Sequence, residues 1–112
     1  MKIVEKPWGR EIWIAHTDQY ALKIIEIRKD SRSSLQYHVK KREHVYVDMG
    51  TLQMERENDR GELENLILNP GDVVENPPGR KHRAIALSDV RLIEVSTPEL
   101  DDVVRIADDY GR

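Results

Sequence analysis

The chain has 112 residues, with 18 basic and 21 acidic side chains, a formal net charge of −3 and no cysteine. That length supports one hydrophobic core and a single domain over residues 1–112, and the lack of thiols means that any metal site must be built from nitrogen and oxygen donors. Charges of both signs are interspersed, which excludes the clustered basic footprint of a nucleic-acid binder; no run approaches the roughly 18 apolar residues of a membrane helix, and the opening MKIVEKPWGR lacks an apolar signal-peptide core, so a cytoplasmic protein is expected.

In chain order, Pro7-Trp8-Gly9 marks a bend before a short strand over Glu11-Ile12-Trp13-Ile14-Ala15. Residues 20–28 read as an isoleucine-rich strand, with Ala21, Lys23, Ile25 and Ile27 on one face and Tyr20, Leu22, Ile24 and Glu26 on the other. The polar KDSRS turns the chain into a strand over 34–38. Across 43–47, Glu43, Val45 and Val47 share one face while His44 and Tyr46 take the opposite one. Residues 51–57 and 62–68 flank ENDRG as a hairpin with Gly61 free to take positive φ. Asn69-Pro70-Gly71-Asp72 is a further turn, and 82–87 and 90–96 supply the last strands. Short strands at this spacing predict an all-β fold, a sandwich or a jelly-roll barrel. A short C-terminal helix is expected over 98–108, where Asp101 and Asp102 suit a helix N-terminus.

The chemistry-bearing residues concentrate in two stretches. Gln36 and His38 stand two apart on a strand and so point the same way, Glu43 joins them from the next strand, and His82 follows a Pro/Gly turn in GDVVENPPGRKH. Two imidazoles, a carboxylate and an amide oxygen are a plausible divalent-metal set, compatible with zinc, manganese, iron or nickel.

These residues carry a resemblance. Gly71, Pro77, Gly79 and His82 reproduce the second cupin motif, G-x5-P-x-G-x2-H, and His38, Glu43 and Gly50 fit the first, G-x5-H-x-H-x(3,4)-E-x6-G, with Gln36 in place of its first histidine and Asp30 in place of its opening glycine. Gln-x-His followed by Glu and a distant His resembles the metal set of phosphomannose isomerases. PWG at 7–9, SLQYH at 34–38, EH at 43–44, LIEV at 92–95 and the ending DDVVRIADDYGR resemble the C-terminal cupin domain of their type II branch.

The resemblance implies a cupin barrel holding one divalent metal, zinc favoured, through Gln36, His38, Glu43 and His82. It also implies a sugar or sugar phosphate as the small-molecule partner, interconverted between aldose and ketose through a cis-enediol. Lys23, on a face with Ile25 and Ile27, and Glu94 are candidate proton carriers; Lys40, Arg80 and Lys81 border the site as candidate substrate contacts. A non-catalytic sugar-binding or regulatory cupin is the alternative, supported by Ser96-Thr97-Pro98 where the type II domain carries glutamine and glycine. A metal-dependent dioxygenase is disfavoured by Gln36. His44 faces away from the metal set. Trp8, Trp13 and Tyr46 are hard for a small open barrel to hide, so a homodimer is expected.

Overall fold

The structure, a computed structural model, describes residues 1–110; Gly111 and Arg112 of the C-terminal motif lie outside the described residues. Among the described residues eleven strands follow one another: β1 (Lys2–Lys6), β2 (Gly9–His16), β3 (Ala21–Ile27), β4 (Leu35–Tyr37), β5 (Glu43–Met49), β6 (Leu52–Glu57), β7 (Leu63–Leu68), β8 (Val73–Asn76), β9 (His82–Ala86), β10 (Val90–Ser96) and β11 (Val104–Ala107). They form two antiparallel sheets. One has the order β1-β2-β3-β10-β5-β8 and the other β11-β4-β9-β6-β7.

The alternation seen in the sequence decides what faces inward. In β3, Ala21, Lys23, Ile25 and Ile27 are buried while the residues between them are half-exposed, and β5 buries Glu43, Val45 and Val47 in the same rhythm. Between the sheets, Trp8, Ile25, Ile27, Val45, Val47, Leu52, Met54, Leu68, Val74, Ala86, Val90 and Leu92 form one apolar cluster. Register divides the interior into two ends. Leu92 pairs with Ile25 and Val47, whereas Glu94 pairs with Lys23, Glu43 with Asn76, and Gln36 with His82. Cross-strand partners share a face, so this pairing collects the inward polar side chains at one end of the barrel and leaves the other end apolar.

Turn chemistry fixes two connections. The β6–β7 hairpin closes with Gly61 at φ 76° and with the Asn58 side-chain oxygen accepting from the amides of Arg60 and Glu62 at 2.9 and 3.0 Å. Gly50, at φ 86°, follows β5, and a Cβ there would collide with the carbonyl oxygen of Asp89. The motif glycine is therefore required by both conformation and space.

The expected C-terminal helix is corrected: no helix occurs among the described residues, and Val104–Ala107 forms β11, paired with β4 through Val104↔Tyr37 and Arg105↔Gln36. The Asp102 carboxylate does not cap a helix. It accepts instead from the amides of Val39, Lys40 and Lys41, at 3.0, 2.6 and 2.9 Å. With its cap engaged elsewhere, the β-branched Val104 and Ile106 complete a sheet edge. The opening segment also differs, since the bend at Trp8 joins two strands, with Lys6 opposite Gly9. Trp8 itself is a core residue at 5% exposure rather than an interface residue, while Tyr46 stays exposed on the outer face. No described helix is long and apolar enough to cross a membrane.

Candidate metal centre and its cavity

The polar end of the barrel encloses a cavity of about 450 Å³. His38, just past β4, Glu43 at the start of β5 and His82 at the start of β9 are all buried, and their ligating atoms lie within 4.8 Å of one another. His38 Nε2 is 2.8 Å and His82 Nε2 3.4 Å from the same Glu43 Oε1. Their other ring nitrogens are engaged outward: His38 Nδ1–H donates to the Asp102 carbonyl at 2.6 Å, and His82 Nδ1–H to the Arg80 carbonyl at 3.1 Å. A carbonyl can only accept, so these bonds place the proton on Nδ1 and turn the Nε2 lone pairs toward the Glu43 oxygen. Acceptors facing acceptors at such distances require a cation between them, either a proton or a metal ion. The donor set thus fits a divalent metal.

Gln36 lines the same cavity beside His82, its Oε1 accepting from Ser34 Oγ at 2.7 Å. His44 stands on the outer face, 3.7 Å from Glu75.

Beside the histidines runs a chain of alternating charges. Lys23 Nζ lies 3.2 Å from Glu11 and 3.5 Å from Glu94; Lys41 Nζ lies 3.2 Å from Glu94. The Trp13 indole N–H donates to Glu11 at 3.0 Å. Glu43 and Glu94 share a side-chain hydrogen bond and divide their proton unequally. Burial and the neighbouring Glu43 carboxylate push Glu94 up to about 7, against the pull of Lys41 and Lys23. Burial opposes ionisation of Glu43 too, but the hydrogen bond with Glu94, those from His38 and His82 when a proton occupies the space between Nε2 and the Glu43 oxygen, and the charge of Lys41 hold it well below the ordinary carboxylate range. Lys41 in turn loses to burial and gains more from Glu94 and Glu43, which raises its pKa.

Of the sequence-derived candidates, Gln36, His38, Glu43, His82, Lys23 and Glu94 meet in this cavity. Lys40, Arg80 and Lys81 stand outside its lining. The Lys40 side chain is exposed, Arg80 is tied to Asp59 at 2.9 Å, and the Lys81 amide donates to Glu57 at 3.2 Å. Of the two loop cations that border the site in the sequence, Lys41 rather than Lys40 lines the cavity, and Glu11, Asn76 and Asp102 were missed as site residues. Asp102 orients His38 through its carbonyl and holds the 39–41 loop through its carboxylate, which the Lys40 amide above all keeps ionised, with burial opposing and the Lys41 and Val39 amides helping. Asp102→Ala is expected to loosen that loop and weaken zinc binding about tenfold, the scale of outer-sphere metal-site mutations; a competitive zinc titration reads it, and an unchanged affinity would show the clasp to be irrelevant to the metal.

Two facing antiparallel sheets with a two-histidine, one-carboxylate cluster at one end define a cupin, and the solved structures agree. An RmlC-like cupin from Shewanella frigidimarina superposes with a TM-score of 0.76 at 20% identity, covering 90% of this chain and 86% of that one. Oxalate decarboxylase from Bacillus subtilis, solved at pH 4.6, gives a TM-score of 0.80 at 17% identity over 94% of this chain and 30% of that one. At those identities the likeness is one of fold. Residues 1–108 match the family described as mannose-6-phosphate isomerase C-terminal, and the chain belongs to that family. The mannose-1-phosphate guanylyltransferase of Escherichia coli (strain K12) is 35% identical over 97% of this chain, which spans 23% of that relative's length.

Proposed function

We propose that this domain binds one divalent metal through His38, Glu43 and His82, with Gln36 as a fourth ligand, and interconverts an aldose and a ketose sugar or sugar phosphate. The observation that carries the proposal is the opening of the His-Glu-His cluster and the Lys23–Glu94 pair onto one cavity. Its volume of about 450 Å³ is of the size that holds a small ligand. When bound, the metal would polarise a carbonyl and its neighbouring hydroxyl; zinc suits the donor set, as do manganese, iron and nickel.

The chain's own residues supply the rest. Glu94 or Lys23, which lie 3.5 Å apart, serves as the base that takes the proton from one of C1 and C2 and returns it to the other, one group sufficing for both transfers. At the cavity rim Lys2 and Arg105 provide positive charge for a phosphate.

A non-catalytic sugar-binding or regulatory domain is the second reading. The observation that favours it is that Lys23 and Glu94 are both engaged in ion pairs, an arrangement that also serves purely to hold the cavity open. Incubating zinc- or manganese-loaded protein with mannose 6-phosphate and fructose 6-phosphate in D2O separates the two. Isomerisation is expected to put deuterium at C1 or C2 by NMR, and Glu43→Gln to abolish the exchange together with the metal. Sugar binding without exchange, whichever metal is loaded, would leave the binding module as the function.

A further inference from the structure

Asn76 ends β8 with its side chain 1% exposed inside the cavity. Neither its Nδ2 nor its Oδ1 has a hydrogen-bond partner among the described residues. Native proteins rarely leave a buried amide unpaired at both ends, because each orphaned group keeps the full penalty of leaving water. Position explains why the amide cannot escape. Asn76 pairs with Glu43 across β5 and β8, so the two side chains share the inward face, and Pro77 and Pro78 follow at once and stiffen the backbone behind it. Although neighbours, Asn76 and Glu43 make no hydrogen bond to each other; the Glu43 oxygens are taken up by His38, His82 and Glu94. The amide therefore presents its N–H donors and its carbonyl acceptor to the cavity beside the candidate metal ligands.

That pair has a chemical complement. A hydroxyl can accept from Nδ2–H and donate to Oδ1, and two neighbouring hydroxyls can do both at once. A carboxylate can accept from Nδ2–H but offers nothing to Oδ1 and repels it. We infer that Asn76 is a specificity-determining residue that reads a hydroxyl of the ligand next to Glu43, selecting polyhydroxylated ligands over simple carboxylates. The inference rests on the sugar-binding reading above and assigns that selectivity to one side chain.

Calorimetry on the zinc-loaded full chain tests it, with mannose 6-phosphate, its monodeoxy analogues at C2, C3 and C4, and oxalate as probes. Asn76→Leu is expected to weaken mannose 6-phosphate about tenfold or more while leaving zinc affinity within about twofold. Wild-type protein should discriminate against at least one deoxy analogue, and the variant should have lost that same discrimination, as a double-mutant cycle requires. Oxalate should bind the variant no more weakly than wild type. Asn76→Ala provides the same comparison if the leucine variant folds poorly. Unchanged sugar affinity in the variants would show that a trapped water satisfies the amide and would overturn the inference with the sugar reading intact. Loss of zinc on the scale of His82→Ala would make Asn76 a metal ligand and overturn it as well. If the zinc-loaded wild type bound none of the sugar phosphates, the function proposed above would fall, and this inference with it.

Discussion

Replacing His82 with alanine is expected to lower divalent-metal affinity by at least about a hundredfold, the upper end of what loss of even an outer-sphere partner does. The imidazole is buried, its Nδ1–H is committed to the Arg80 carbonyl, and its Nε2 faces the Glu43 oxygen that His38 also faces. Its loss leaves a cavity and two remaining close ligands. His44→Ala is the matched control, since that ring lies on the outer face near Glu75, and it should leave affinity unchanged. Acid should mimic the mutation. Protons and the metal compete for the same lone pairs, so affinity should fall as pH falls, while Glu43 resists protonation because its pKa is held so low. Competition against a chromogenic zinc chelator measures all three. Equal affinities for wild type and His82→Ala would remove His82 from the site.

Lys23→Met should destabilise the metal-free protein by about 3–5 kcal/mol, the cost typical of removing one partner from a buried ion pair. Lys23 is 5% exposed and lies between Glu11 and Glu94. Without it, Glu94 keeps Lys41 and Glu11 keeps the Trp13 indole, but the cavity gains a net negative charge beside Glu43. The penalty should depend on pH with a definite sign. Glu94, an acid raised to about 7 in the fold, is largely neutral at pH 5 and ionised at pH 8. Its ionisation subtracts stability as pH rises from its ordinary range through 7, and Lys23 offsets that loss. Lys23→Met should therefore cost more at pH 8 than at pH 5. The double variant Lys23→Met/Glu11→Leu should recover much of the loss, since a buried pair replaced by apolar groups of similar size is often neutral. Urea midpoints at the two pH values decide it; a small loss independent of pH would show that the charge chain contributes little.

Where side chains alternate along a strand, the inward face could be read directly: Lys23 with Ile25 and Ile27, Glu43 with Val45 and Val47, and the metal candidates from the two motif spacings. Loops have no such period. Between the adjacent Lys40 and Lys41 nothing local distinguishes the cation that turns into the barrel, and it is Lys41, drawn in by Glu94 across 53 residues of sequence. Asp102 misled for a related reason. A carboxylate accepting from free amides is the same chemistry whether it caps its own helix or a distant loop. β1 and β8 were missed because KIVEK is short and charged and VVEN sits between two turns.

The clasp made by Asp102 also sets an order of events. Chains leave the ribosome N-terminus first, and the carbonyl that fixes the His38 ring is synthesised 64 residues after the ring itself. The β4–β9 pair that sets His82 beside Gln36 likewise waits for its later strand. All the metal-ligand candidates are thus made before residue 102 exists, yet they cannot hold their final geometry until it arrives. Assembly of the candidate metal site is in this sense a late step, completed only once residue 102 has been made.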